Sequence, residues 1–195
     1  MTEPSLEAEI LRQAAPLIPG SAALSTFLAT TRTQTLAKGQ TLFRAGEPTT
    51  ALYFVTQGLL RYYYLADGAE HTGQFFDAGL FLGDVASLMT GADSVQTVDA
   101  IEASTVIVIP GTALKAAYDA DHAMERFGRR VVEQAMAGSQ RRSAALLQLS
   151  PEENYERLLR LRPEVARRTP LYMIASYLGV TPEALSRIRR RRIGS

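Results

Sequence analysis

Cysteine and tryptophan are missing from this 195-residue sequence, and histidine occurs only twice. Without cysteine there can be no disulfide, no thiol redox switch and no Cys-ligated iron–sulfur cluster. A metal enzyme built on a cupin-type double-stranded roll needs clustered His and carboxylate ligands. Here His71 stands alone in a strand-like run, and His122 lies far along the chain. A haem sensor would have to use His71 or another lone side chain as its axial ligand. Neither a Ser-His-Asp nor a Cys-His arrangement is visible, and no phosphate-binding P-loop. The expectation is a protein that is not an enzyme and needs no cofactor or metal. No apolar run approaches the ~20 residues of a membrane span. The first ten residues, MTEPSLEAEI, are acidic and carry no apolar signal core. A cytoplasmic protein that does not enter a membrane is expected.

What is present is unevenly distributed. The formal net charge is +1, yet residues 141–195 hold twelve arginines and five glutamates. A basic C-terminal quarter on an acidic body suggests a polyanion-binding end, with nucleic acid as the natural partner.

Residues 5–30 read as one or two short helices, broken at Pro16, Pro19 and Gly20. From Thr33 to Pro110, short runs rich in β-branched and aromatic residues alternate with glycine-bearing turns. Examples are ALYFV before TQG and LLRYYYL before ADG. This spacing predicts many short antiparallel strands, hence a sandwich, roll or barrel. Residues 119–149 contain no proline, and Phe127, Val131 and Gly138 fall at helical spacing. They predict one long helix with a buried seam, used for self-association.

The last quarter repeats a start signal at Ser150-Pro151, Thr169-Pro170 and Thr181-Pro182. Ser or Thr can cap a helix, and proline suits its first position. Ser150 with Glu153 adds a capping box. Within PLYMIASYLGVTPEALSRIRRRR, Ile174 and Leu178 make one apolar face, and Leu185 and Ile188 make another. Small Ala175 permits close approach, and Gly179 suits a tight turn. This predicts a helix-turn-helix whose second helix can enter a major groove. Its candidate DNA-binding residues are Thr181, Glu183, Ser186, Arg187, Arg189, Arg190 and Arg191. Arg187 suits the O6 and N7 of guanine, and Glu183 suits a cytosine amino group or the orientation of Arg187. Thr181 and the arginine run Arg189–Arg192 suit phosphates.

In this order of parts the chain resembles the Crp/Fnr family of transcription regulators. The likeness is carried by Lys38-Gly39, Phe43, Gly46-Glu47, Tyr53-Phe54-Val55, Gly58 and Arg61, then by Phe81-Leu82-Gly83-Asp84-Val85-Ala86. It continues in Ile174-Ala175, Leu178-Gly179-Val180-Thr181, Glu183 and Ser186-Arg187. The resemblance implies an α+β chain. It comprises a cyclic-nucleotide-binding-like double-stranded β-roll over residues 1–118, a dimerisation helix over 119–149, and a helix-turn-helix domain over 150–195. It implies a homodimer on double-stranded DNA with a small-molecule effector of unknown identity. The implied effector-binding positions are Gly83, Asp84, Val85, Ser94, Val95 and Ser139.

Two departures bear on the effector. Relatives that bind cAMP carry Glu after the cassette glycine and an Arg-Ser pair about ten residues later, where this chain has Asp84, Ser94 and Val95. Without the guanidinium, the cyclic phosphate loses a charge-assisted pair, so cAMP chemistry is not expected. Relatives also place a β-hairpin wing before the helix-turn-helix, whereas PEVARRTP is too short and too poor in strand formers for one. A sensor that acts on a protein partner instead of DNA is the main alternative; it would need neither the helix-turn-helix nor the basic tail.

Overall fold

The computed structural model describes Ser5 and residues 22–193. The helices expected before residue 22 lie outside the described residues. The chain then runs α1 (Ala22–Ala29), β1 (Arg32–Leu36), β2 (Thr41–Phe43), β3 (Ala51–Gln57), β4 (Leu59–Ala66), β5 (Ala69–Asp77), β6 (Phe81–Leu82), α2 (Val85–Thr90), β7 (Thr97–Ala100) and β8 (Ser104–Pro110). The helical half follows as α3 (Gly111–Ala120), α4 (His122–Gln148), α5 (Pro151–Leu161), α6 (Pro163–Arg168), α7 (Leu171–Leu178) and α8 (Pro182–Ile193).

The strands form two four-stranded sheets, ordered β1-β8-β3-β6 and β2-β7-β4-β5. Their pairings are antiparallel. Alternation along the strands supplies the interior: Leu36, Val55, Leu60, Val98, Val106 and Val108 are buried between the sheets. This is the roll that the short, glycine-punctuated runs predict. A two-residue turn joins β4 to β5, where Asp67 and Gly68 both have positive φ, at 53° and 74°. That pair suits the twist of a two-residue hairpin. Within the hairpin the register shifts between Tyr62 and Tyr63, so that Gly73 becomes the extra residue of a bulge. A Cβ on Gly73 would fall 1.8 Å from the Tyr62 ring.

The long helix begins later than the sequence predicts. Asp121 leaves helical geometry (φ −150°, ψ 114°), and its carboxylate accepts a hydrogen bond of 2.7 Å from the Ala123 amide. An aspartate that caps one helix ends the one before it, so residues 119 and 120 belong to α3. Further on, Ser150 behaves as expected. Its hydroxyl accepts from the Glu153 amide, and the Glu153 carboxylate accepts from the Ser150 amide at 2.7 Å. Thr169 does not. Pro170 takes the cap position of α7, and the Thr169 hydroxyl is buried without a hydrogen-bond partner. One residue too early, it cannot reach the first amides of α7. PEVARRTP forms no wing; most of it is the short helix α6.

The helical C-terminal part does not stand apart from the roll. Leu59, Phe75 and Ile101, on the outer face of the second sheet, share one buried cluster with Tyr155, Leu158, Val165, Ile174 and Leu178.

Candidate nucleic-acid interface and effector pocket

The interface is built by α7 and α8. Ile174, Ala175, Leu178, Leu185 and Ile188 are buried, as the two expected inward faces require. Ala175 has no exposed surface, the close approach its size permits. Gly179 adopts φ 71°, and its amide donates to the carbonyls of Ala175 and Ser176. Val180 packs half-buried against the same core. Thr181 caps α8: its hydroxyl accepts from the Ala184 amide at 3.2 Å.

Packing this face inward turns the other outward. Thr181, Glu183, Arg187, Arg190 and Arg191 are exposed, and Ser186 and Arg189 are half-buried. Backbone hydrogen bonding at the helix start, then the Thr181 hydroxyl, holds the Glu183 carboxyl below the usual carboxylate range; Arg187 adds to this. Among the described residues, Arg187, Arg189 and Arg190 form no salt bridge. Arg191 differs from the expectation of a free phosphate contact, because it pairs with Glu152 at 3.1 Å. Arg192 pairs with Glu156 at 2.6 Å. The two glutamates lie one turn apart on α5, so these pairs fasten the end of α8 to α5. That signal is invisible in sequence, where the partners are more than thirty residues apart.

In the roll, only some of the expected effector residues come together. Gly83 precedes the short α2, and a Cβ there would come within 2.7 Å of Leu52 Cδ2. Asp84 is buried and bonded on both oxygens. Oδ1 accepts from the Ser87 amide at 3.1 Å, and Oδ2 accepts from the Ser94 hydroxyl at 2.8 Å. Ser87 in turn donates to the Ala92 carbonyl at 2.6 Å and accepts from the Thr49 amide at 2.8 Å. The cassette is therefore closed on itself. Val85 and Val95 point away from it, Val95 with 67% of its surface exposed. Ser139 is exposed on α4.

The dimerisation seam also needs correction. Phe127 is only 5% exposed and packs beside Phe81, with ring centroids 6.0 Å apart. Val131 leans on the same cluster. Both hold α4 to its own roll. The apolar side chains that α4 leaves uncovered are Val132, Met136, Leu146 and Leu147, with Met136 61% and Leu147 87% exposed.

Two features escape a sequence reading. Arg61 is buried on the outer face of the second sheet. Its Nε and Nη2 donate to Asp99 at 2.9 and 3.0 Å, its Nη1 donates to Thr72, and Glu70 also accepts. Burial works to discharge it, but Asp99 and Glu70 outweigh that and hold its pKa above the ordinary arginine value. The second feature is a cavity of about 170 Å³ between α4, α5, α7 and β5, lined by Arg141, Arg142, Arg157, Arg162, Gln74 and Tyr177 among others. The Arg142 guanidinium lies 3.4 Å from the centroid of the Tyr177 ring. Its Nε donates to the Gly73 carbonyl at 2.7 Å, and its Nη2 to that of Tyr177.

Comparison with known proteins bears on the fold. Residues 33–121 match the cyclic nucleotide-binding domain family. No curated protein sequence matches the chain. Among solved structures, FixK2 from Bradyrhizobium japonicum shares 21% identity over 83% of this chain and 84% of its own, with a TM-score of 0.70. A structure from Eubacterium rectale, assigned to a transcriptional regulator of the Crp/Fnr family, shares 19% identity over 89% and 83%, with a TM-score of 0.69. The c-di-GMP responsive global regulator CLP of Xanthomonas campestris shares 18% identity over 90% and 92%, with a TM-score of 0.68. Among the described residues no helix is long and apolar enough to cross a membrane.

Proposed function

From a chain whose residues 33–121 match the cyclic nucleotide-binding domain, on the fold of Crp/Fnr regulators, we propose a transcription regulator that binds double-stranded DNA as a homodimer and responds to an effector other than cAMP. The observation that carries the reading is the outward face of α8. On it, Glu183 and Arg187 sit beside the cap Thr181, and Arg187, Arg189 and Arg190 have no carboxylate partner among the described residues. A recognition helix needs this arrangement: side chains of defined direction for base edges, and spare cations for phosphates. Arg187 reads a guanine, Glu183 orients it or accepts from a cytosine, and Thr181 with Arg189 and Arg190 contacts the backbone.

The uncovered apolar row Val132–Met136–Leu147 on α4 supports the dimer, since a second copy of the helix would bury it. The closed cassette supports an effector other than cAMP. Asp84 already holds Ser94 and the Ser87 amide, and no arginine stands where a cyclic phosphate would need one. Chemistry by the protein itself is not part of this reading. Selection of bound sequences from random duplex DNA tests it. A two-fold dimer selects a near-palindrome with half-sites roughly 10 bp apart. Recovery of no enriched sequence, with binding that only follows salt, would overturn the proposal.

A further inference from the structure

The cavity between α4, α5, α7 and β5 carries more positive charge than the protein neutralises. Of its four arginines, Arg162 pairs with Asp77 at 2.6 Å. Among the described residues no carboxylate pairs with Arg141, Arg142 or Arg157. No acidic side chain lines the cavity. Arg142 is the most constrained of the four: held by two carbonyls and the Tyr177 ring, it spends its hydrogen bonds on neutral acceptors. Burial, and to a lesser degree the Arg157 charge, pull its pKa below the ordinary arginine value. Arg142 and Arg157 are half-buried side by side without counter-charge, which is costly unless something anionic joins them.

We propose that this cavity is a binding site for a phosphate-bearing anion of more than one charge, held by Arg141, Arg142 and Arg157. Guanidinium forks match phosphate oxygens two at a time, which is why clustered arginines favour phosphate over a simple halide. The space of about 170 Å³ admits a diphosphate-sized group. The site is separate from the cassette at Asp84. Its position gives it a function. Arg141 and Arg142 belong to the last turns of α4, Arg157 to α5, Arg162 to the junction of α5 and α6, and Tyr177 to α7. One anion would therefore draw together the long helix and both helices that orient α8. That regulatory consequence rests on the proposed DNA-binding function; the binding itself does not.

The test uses the full-length protein, with inorganic pyrophosphate and ADP as probes and adenosine and sodium chloride of matched ionic strength as controls, followed by thermal unfolding and calorimetry. Pyrophosphate should raise the unfolding temperature, and the salt control should not. ADP binding more tightly than pyrophosphate identifies a nucleotide site; equal binding identifies a site for the free phosphate chain. An Arg141→Gln/Arg157→Gln variant should weaken binding at least about tenfold, since a charge-assisted hydrogen bond contributes on the order of 1.5–3 kcal/mol. An Arg129→Gln variant, at an exposed ion pair elsewhere on α4, should bind pyrophosphate as the parent does. Arg141 is exposed, so Arg141→Gln alone provides a folded variant if the double one fails. Absence of any shift beyond the salt control, or a shift that survives loss of Arg141 and Arg157, would overturn the site. Loss of DNA binding with pyrophosphate binding intact would overturn only the regulatory consequence.

Discussion

One short carboxylate, Asp84, ties the roll's cassette together through Ser87 and Ser94. Asp84 is short enough to turn back and cap α2 through the Ser87 amide, and Ser94 is placed to donate to its other oxygen. In a buried setting such a bond is strong because neither partner has water to fall back on. Replacing Asp84 with Ala leaves the Ser87 amide and the Ser94 hydroxyl with one acceptor fewer each. Asp84→Ala should therefore cost about 1–3 kcal/mol of stability, read from denaturant unfolding. For the same reason, cAMP should give no measurable heat with the wild-type protein. A dissociation constant in the low micromolar range would refute this account of the cassette. Ser94 and Val95 are legible in the sequence as departures from the Arg-Ser pair that the family resemblance implies for cAMP binders. The bond between Ser94 and Asp84 is not, because nine residues of helix and loop intervene and only the folded chain sets their separation.

Elements were most legible where a local rule governs them. Ser150 with Glu153, Thr181 at α8 and Gly179 between α7 and α8 each obey a rule spanning four residues or fewer, and each appears as expected. Asp121 and Thr169 obey equally local rules that compete with stronger neighbours: one starts a helix in the middle of an apolar pattern, and the other is displaced by a proline. The seam of α4 illustrates a different limit. Helical spacing finds an apolar face, but α4 has two, and sequence cannot say which faces its own roll. Phe127 and Val131 face inward, leaving Val132, Met136 and Leu147 outside. Met136→Glu should accordingly raise the monomer fraction in sedimentation or light scattering while leaving the unfolding transition of the roll in place. A parent that is monomeric at high micromolar concentration would count against the dimer. On α8, Arg187→Ala should cost about 1–3 kcal/mol for the selected site and relax preference at one base position. Arg190→Ala should weaken all sequences alike and lower the salt slope by about one. Arg191→Ala should act mainly through α5, because Glu152 already holds that side chain.

At the scale of the whole molecule, the helical part and the roll are joined through β5, which is the last strand of its sheet. The Ser176 hydroxyl accepts from the Thr72 amide at 2.9 Å and donates to the Glu70 carbonyl at 2.8 Å. Arg142 caps the Gly73 carbonyl, and Arg162 donates to the Phe75 carbonyl at 2.9 Å. Side chains from α4, α7 and the α5–α6 junction thus take the places a neighbouring strand would occupy. Ser176→Ala should loosen this junction, seen as faster amide hydrogen exchange at Thr72 with little change elsewhere in the roll; unchanged exchange there would show that the apolar cluster alone holds the two parts together. The same arrangement has a consequence for solubility. An open strand edge is a template on which other chains can add strands and aggregate. Here that edge is sealed by the very helices that would swing if α8 were repositioned on DNA. Any large departure of those helices from β5 exposes a ribbon of unpaired amides and carbonyls, so the need to avoid aggregation itself limits how far the molecule can open.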